Sequence, residues 1–198
     1  PIVYAAALEM GYSPNDLVND EQMTINLQGS NSWTPKNYSK AFSGEVTLTK
    51  AFSESLNIPA VKISEAVGRT SVSELGKKFG LHSEPTNGPA IALGTSEATL
   101  LNLVGAYATI LNHGTRVEPF GWEKLQLKKN KNEILMAKSE RPNMRIVNQE
   151  TAQNLIFMMS EVTKNGTGKR AKFPDWEIAG KTGTSQSARD AWFIGFSK

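Results

Sequence analysis

The order of the predicted elements constrains the fold most: several helices come first and two strands come last. Residues 176–185 and 191–196 are rich in β-forming side chains and are separated by a short polar loop over 186–190, a pattern typical of an antiparallel hairpin. Helices followed by adjacent strands indicate an α+β fold. The sequence therefore predicts a helical cluster packed on an antiparallel sheet.

Cap and stop residues place the helices. We expect helices over 1–10, from Thr47 to about 56, 59–66, 71–79, from Thr99 to about 113, and from Asn148 to about 165. In the Thr99 helix, the apolar residues expected to face the core are Leu100, Leu103, Val104, Tyr107, Ala108 and Leu111. In the Asn148 helix, they are Ala152, Leu155, Ile156, Met159 and Val162. Between the helices we expect an irregular segment over 13–44 with one small hairpin near 23–27, and a second hairpin over 122–137.

Composition excludes several classes of function. A net charge of +3 is too small to indicate nucleic-acid binding, and the basic clusters at 124–131 and 164–172 contain few aromatic residues, as a solvated surface does. The chain has no cysteine, which excludes thiolate metal sites, a cysteine nucleophile and disulfides. No run of 18 apolar residues is present, so we expect no membrane contact from this segment. Nothing in the sequence calls for a metal or another cofactor.

Lys181-Thr182-Gly183-Thr184 lies at the end of the first C-terminal strand. Glycine leaves room for a ligand backbone to lie close to the strand, the lysine supplies positive charge, and the threonine hydroxyls can bind a carboxylate. This motif is suited to a peptide that ends in a free carboxylate and lies along a sheet edge.

Ser55-Leu56-Asn57 falls on the turn between two predicted helices. Its serine offers a hydroxyl for proton transfer and its asparagine an amide that can bind a substrate carbonyl. Serine and asparagine are also common turn formers without any chemical role. The lysine motif downstream favours the functional interpretation.

Taken together, the motifs resemble the transpeptidase domain of class A, bifunctional penicillin-binding proteins. The stretches that carry the resemblance are Trp33-Thr-Pro-Lys-Asn-Tyr38, Ser55-Leu-Asn-Ile-Pro-Ala60, Ala92-Leu-Gly-Thr-Ser96, Ala106-Tyr-Ala108, Gly166-Thr-Gly168, Ala179-Gly-Lys-Thr-Gly-Thr184 and Asp190-Ala-Trp-Phe193. The resemblance implies the fold shared by penicillin-binding proteins and serine β-lactamases, here incomplete. It also implies a periplasmic or other extracytoplasmic location at the bacterial cytoplasmic membrane.

Enzymes of this family crosslink peptidoglycan. A serine in a Ser-x-x-Lys motif attacks the bond between the two terminal D-alanines of a stem peptide, and the acyl group then passes to a neighbouring amine; β-lactams mimic the D-Ala-D-Ala end. By resemblance, Ser55 relays a proton and Asn57 orients the substrate amide. Lys181 gives electrostatic support, and Thr182 and Thr184 bind the carboxylate beside Gly183. The Thr184 N–H supplies half of the oxyanion hole.

One family motif is missing from these residues: none of the serines is followed by lysine three positions on. In the family, proline follows Ser-x-x-Lys directly, so we expect the nucleophile just before Pro1. We expect residues 1–198 to be a single transpeptidase domain fragment without that motif, the last strand and the C-terminal helix, with no glycosyltransferase domain. Alone, this fragment is expected to be inactive.

Two alternatives stay open. A penicillin-recognising sensor or inactive scaffold would have the same binding motifs without catalysis. A serine β-lactamase shares the fold, but the Glu-x-x-Leu-Asn pattern of class A lactamases is one residue too long here, at Glu97 to Asn102. We interpret Glu97 as a helix-start residue, Asp190 as a residue that positions the hairpin, and His82 and His113 as helix-end or surface residues.

Overall fold

The helices and strands follow the order expected of an α+β chain. The computed structural model describes residues 1–27, 29, 31–81, 88–126, 134–137, 143–185 and 189–197. Its α-helices are α1 (Ile2–Glu9), α2 (Leu48–Ser53), α3 (Asn57–Val67), α4 (Arg69–Lys78), α5 (Leu100–Leu111) and α6 (Gln149–Lys164). Its strands are β1 (Leu17–Asp20), β2 (Gly44–Thr47), β3 (Lys124–Gln126), β4 (Ile134–Ala137), β5 (Ile178–Thr184) and β6 (Ala191–Ser197). Short 3-10 helices span Pro89–Leu93 and Lys169–Ala171.

The predicted cap residues begin their helices. The side chains of Thr47, Thr99 and Asn148 each accept a hydrogen bond from the backbone N–H three residues on, at 3.1, 3.2 and 2.7 Å. Because the first N–H groups of a helix have no partner within it, such an acceptor sets the start of the helix. The predicted starts of α2, α5 and α6 are therefore confirmed.

The strands pair in three antiparallel sheets of two strands within the described residues. The C-terminal hairpin is confirmed, with β5 and β6 paired from Ile178–Ser197 to Thr184–Ala191. The predicted hairpin over 122–137 is also confirmed by the pairing of β3 with β4, while its turn lies outside the described residues. The β1–β2 pair was not predicted, and the small hairpin expected near 23–27 is a single bridge between Ile25 and Trp33.

The hydrophobic core lies between α1, α3, α4 and α6. Helix α1 is buried from Val3 to Leu8 and contacts the other three helices. Helix α6 buries most of its predicted face, and Ile156 is half-buried rather than buried. Strand β5 packs on the other side of α6, where Ala179 is buried and the Thr163 hydroxyl donates to the Ile178 carbonyl at 2.5 Å. The core thus fixes β5 against α6.

The predicted buried face of α5 was wrong except at Tyr107. Leu100 and Val104 are about half exposed, at 56% and 46%, and the helix instead buries Ala106, Thr109 and Ile110 together with Tyr107. The helix carries apolar residues on almost every side, so its periodicity does not single out one face. Despite this composition, neither α5 nor any other helix in the described ranges has the length and hydropathy needed to cross a bilayer.

Candidate active site

The Ser55 turn joins α2 to α3 by a strained conformation. Ser55 has a φ of 56°, in the left-handed region that residues with a Cβ atom rarely adopt. Its N–H donates to the Phe52 carbonyl at 3.1 Å, and the Leu56 N–H donates to the Ala51 carbonyl at 2.9 Å. Backbone strain of this kind persists only when its surroundings enforce it, and it is often found at functional sites. The result is a tight turn from which the Ser55 hydroxyl contacts the Lys181 side chain.

The loop after α6 packs against the residues that lead into the Ser55 turn. The Thr167 N–H donates to the Ser53 carbonyl at 3.0 Å. A Cβ atom at Gly166 would overlap that same carbonyl oxygen, so only glycine allows the loop to lie this close. The Gly166-Thr-Gly168 stretch is therefore more than a helix stop: it anchors the turn that presents Ser55.

Lys181 reaches across the cavity from β5 to the Ser55 turn. Its Nζ atom donates to the Ser55 Oγ atom at 2.7 Å and to the Thr182 carbonyl at 3.1 Å. The ammonium group also lies 5.8 Å from the centre of the Phe52 ring, within range of a cation–π contact. Burial lowers the pKa of Lys181 to about 8, because removal from water disfavours the charged form. At neutral pH the side chain is still predominantly protonated.

Among the described residues, β5 pairs with β6 alone, so its other edge, beside the cavity, is unpaired in this part of the chain. The Ser185 N–H donates to the Asp190 carbonyl at 3.0 Å, and these two residues continue the register of the β5–β6 pair. Ser185 and Asp190 therefore form a hydrogen-bonded pair. Because hydrogen-bonded and non-hydrogen-bonded pairs alternate in an antiparallel ladder, the next pair, Thr184 and Ala191, is not hydrogen-bonded. The backbone N–H of Thr184 therefore points away from β6, toward the free edge.

The threonines of β5 share one face of the strand, as alternation requires. The Thr182 hydroxyl is 2.6 Å from the Thr167 hydroxyl. A Cβ atom placed on Gly183 would have no described atom within 4 Å, so the space next to this glycine is open. The open space therefore lies on the face of the strand opposite the two threonine side chains, the face that Gly183 shares with Lys181.

Asn57 is the first residue of α3 and faces the same cavity. Its side-chain Nδ2 atom donates to the Lys36 carbonyl at 2.8 Å, and its backbone N–H donates to the Asn37 Oδ1 atom at 3.0 Å. Both partners belong to the Trp33–Tyr38 stretch. That stretch therefore sets the position of the Asn57 side chain.

A cavity of about 450 Å³ lies between these elements. All six residues predicted for the site line it: Ser55, Asn57, Lys181, Thr182, Gly183 and Thr184. Its floor and far wall are largely apolar and include Tyr4, Phe52, Leu103 and Tyr107. The volume and the mixture of an apolar wall with a few polar groups are typical of a small-ligand site.

Several residues around the site were not predicted from the sequence. Phe52 lies beneath the lysine, Gly166 and Thr167 hold the turn and the strand together, and Asn37 binds Asn57. Local spacing gives no signal for these contacts, since the partners are separated by 15 residues (Thr167 and Thr182) to 129 residues (Phe52 and Lys181) in the chain. The resemblance of two of the stretches to a known family was the only indication available.

The remaining candidate residues have structural surroundings. The Asp190 carboxylate accepts from the Ser185 hydroxyl at 3.0 Å, which confirms that it positions the hairpin. Glu97 precedes the α5 cap and also lines the cavity. The His113 carbonyl accepts from Arg145 at 2.8 Å at the end of α5, whereas His82 lies outside the described residues. Within the described ranges, no group of three or more His, Asp or Glu side chains could hold a metal ion.

Comparison with known proteins identifies close similarity over the whole chain. The penicillin-binding protein transpeptidase domain family matches residues 1–198. Penicillin-binding protein 1A of Rickettsia prowazekii is 35% identical over an alignment of 217 residues, which covers 98% of this chain and 27% of that protein. Penicillin-binding protein 1B of Haemophilus influenzae is 32% identical, with 98% and 25% covered. The chain thus spans about a quarter of the length of these relatives.

Solved structures share the fold. Penicillin-binding protein 1A from Haemophilus influenzae superposes with a TM-score of 0.86 at 25% identity, covering 99% of this chain and 35% of that one. Penicillin-binding protein A from Mycobacterium tuberculosis, solved as an imipenem acyl-enzyme complex, superposes with a TM-score of 0.82 at 25% identity, covering 99% and 49%. The predicted α+β class and its family fold are confirmed.

Proposed function

This chain belongs to the penicillin-binding protein transpeptidase family, and we propose that it forms part of the active site of a peptidoglycan DD-transpeptidase. The observation that carries the proposal is the 2.7 Å hydrogen bond from Lys181 to Ser55, which joins two motifs separated by 126 residues. Around this bond the cavity also presents the amide of Asn57 and the hydroxyls of Thr182 and Thr184. These are the groups that serine acyl transfer on a peptide with a free carboxylate requires.

Strand β5 binds the substrate. The terminal carboxylate of the stem peptide, or the corresponding carboxylate of a β-lactam, binds the hydroxyls of Thr182 and Thr184 near the charge of Lys181. The peptide backbone lies along the free edge of the strand, over Gly183, as an added strand would. The Asn57 side chain binds the penultimate amide. The substrate is a stem peptide that ends in D-Ala-D-Ala.

Ser55 relays the proton in acylation. Since the Lys181 ammonium donates to the Ser55 oxygen, the hydroxyl proton of Ser55 is free to be given to another group. As the nucleophilic serine oxygen bonds to the carbonyl carbon and the amide bond breaks, the leaving nitrogen takes the Ser55 proton, and Ser55 regains one from the base that deprotonated the nucleophile. Deacylation by an acceptor amine reverses these transfers and forms the crosslink.

The Thr184 N–H stabilises the oxyanion. It points toward the free edge of β5, where the carbonyl oxygen of a peptide laid along the strand becomes negatively charged in the tetrahedral intermediate. Loss of one such donor typically costs about 100-fold or more in rate. The second donor is the N–H of the nucleophilic serine itself.

The nucleophile is a serine of a Ser-x-x-Lys motif, which these 198 residues do not contain. The 198 residues are part of a single transpeptidase domain. Because they lack the nucleophile, we expect the isolated 198-residue chain to form no covalent adduct with a β-lactam. The full-length protein acts at the outer face of the bacterial cytoplasmic membrane, where peptidoglycan is assembled.

Labelling with a fluorescent penicillin tests the proposal. The full-length protein should be labelled stoichiometrically and should release D-alanine from a stem pentapeptide on crosslinking. Ser55→Ala should slow both reactions at least about 10-fold, since proton relay contributes about 10²–10⁴-fold, while Lys172→Ala, an exposed lysine, should change neither. Lack of any adduct in the full-length protein would contradict the proposal.

The same assay separates the two alternatives. A penicillin-recognising sensor would form the adduct without crosslinking stem peptides, and an inactive scaffold would do neither. A serine β-lactamase would hydrolyse a chromogenic cephalosporin rapidly instead of accumulating the adduct.

A further inference from the structure

A buried polar network contacts the start of α3, directly after the Ser55 turn. The Asp20 carboxylate is fully buried and Asn37 is 4% exposed. The Asn37 Nδ2 atom donates to the two Asp20 oxygens at 2.8 and 2.9 Å and to the Ala41 carbonyl at 3.0 Å. The Ser43 N–H adds a further bond to Asp20 at 2.8 Å. A buried carboxylate is tolerated only when donors surround it in this way.

Asp20 fixes the orientation of the Asn37 amide. If the amide were flipped, its oxygen would face the carboxylate and its NH₂ group would face the N–H groups of α3, and both contacts would be repulsive. In the observed orientation the Asn37 Oδ1 atom accepts from the N–H of Asn57 at 3.0 Å and from that of Ile58 at 3.3 Å. The carboxylate therefore points the amide oxygen at the start of α3.

Asn37 takes the place of a local helix cap. The residue at the cap position of α3 is Leu56, which forms no side-chain cap bond, and the first N–H groups of a helix need an acceptor from elsewhere. Asn37 supplies it from 20 residues upstream. The neighbouring Lys36 carbonyl accepts from the Asn57 side chain at 2.8 Å, so one short segment binds both the backbone and the side chain of Asn57.

We propose that Asn37, oriented by the buried carboxylate of Asp20, is a positioning residue for Asn57 in acyl transfer. This inference rests on the proposed function, in which Asn57 binds the substrate amide. Neither Asp20 nor Asn37 lines the cavity, so both act through α3 rather than on the substrate. A misplacement of about 1 Å in a binding group can cost about 100-fold in rate, which sets the scale of the expected effect.

The test measures β-lactam acylation of the full-length protein, separating the acylation rate constant from the fraction of protein that is acylated. Asn37→Ala should lower the rate constant about 10- to 100-fold while most of the protein can still be acylated. Asp20→Asn, which keeps the shape and removes the charge, should lower it about 3- to 10-fold. The matched control is Asn15→Ala, an exposed asparagine, which should leave both quantities unchanged.

Combination with Asn57→Ala decides whether the effect passes through Asn57. In that background Asn37→Ala should slow acylation less than about 2-fold further, because coupled residues are not additive. Equal slowing in both backgrounds, or loss of the acylated fraction with an unchanged rate constant, overturns the positioning role. If only the Asp20→Asn variant keeps the wild-type acylation rate constant, Asp20 has no part in the positioning role. Absence of acylation in the wild type overturns the proposed function instead.

Discussion

The Ser55 turn and strand β5 face each other across the cavity, but different forces hold them. Backbone contacts and a polar network fix the turn: Thr167 donates to Ser53, and Asn37 accepts from Asn57. Strand β5 is fixed by regular pairing with β6 and by packing on α6. On the strand, the unusual feature is electrostatic, since Lys181 keeps a charge in a site that lowers its pKa to about 8.

This difference separates the kinds of change to which each wall is sensitive. The turn depends on close approach and on one strained residue, so added volume or altered backbone freedom should affect it most. The strand is regular, and burial disfavours the charge of its lysine. Charge and pH should therefore affect the strand most.

Added volume behind the turn should have the largest effect on stability. In Gly166→Ala the new Cβ atom overlaps the Ser53 carbonyl oxygen, and because that atom belongs to the backbone, the turn itself has to move. We expect a loss of about 1–3 kcal/mol in the free energy of unfolding and at least about 10-fold slower acylation. Chemical denaturation and penicillin labelling of the full-length protein measure the two effects.

Gly121→Ala is the control for Gly166, since a Cβ atom there meets no described atom within 4 Å. It should change neither quantity. If Gly166→Ala were as stable and as active as this control, the close contact would not be what holds the turn.

Removing the charge of Lys181 should stabilise the fold while it slows acylation. The fall in its pKa from 10.5 to about 8 corresponds to about 3 kcal/mol of unfavourable burial. The two lost hydrogen bonds, to Ser55 and to the Thr182 carbonyl, offset about 2 kcal/mol of this. Lys181→Met should therefore be about 1 kcal/mol more stable at pH 7, with acylation at least about 10-fold slower; Lys172→Met should change neither.

The pH dependence checks the cause. Between about pH 8 and 10.5 the unfolded chain keeps the Lys181 proton and the native state has lost it, so the stability of the wild type rises with pH in this window. The advantage of Lys181→Met should shrink across the same window. A constant advantage would mean that it arises from packing rather than from the buried charge.

Strand β5 is more predictable from the sequence than the surroundings of the Ser55 turn. The β5–β6 hairpin and the cap residues Thr47, Thr99 and Asn148 carry local signals, since strands alternate and a cap lies three residues from its partner. The six predicted site residues were assembled through two motifs and a family resemblance. The predictable features are those that a few neighbouring residues determine, such as a hairpin or a helix cap.

The parts that were missed depend on contacts between distant segments. Strands β1 and β2 have four residues each, of which half are exposed, and they are separated by 23 residues, so neither shows a clear pattern alone. Asp20 and Asn37 lie in a stretch rich in polar residues that is typical of a loop. The buried side of α5 was wrong because the core selects among apolar faces that look equivalent in the sequence.

The smallest effect should come from the strain at Ser55, and it separates conformation from chemistry. Ser55→Ala removes the hydroxyl and keeps a Cβ atom at a φ of 56°, whereas Ser55→Gly removes the hydroxyl and the steric cost. A left-handed conformation costs a residue with a Cβ atom roughly 1–2 kcal/mol, and the greater freedom of glycine when unfolded offsets about 0.5–1 kcal/mol. Ser55→Gly should thus be about 0.5–1 kcal/mol more stable than Ser55→Ala, with acylation equally slow in both. Equal stability of the two variants in parallel denaturation would show that the turn relaxes once the Lys181–Ser55 hydrogen bond is lost. In that case the Lys181 side chain would itself maintain the backbone strain at Ser55.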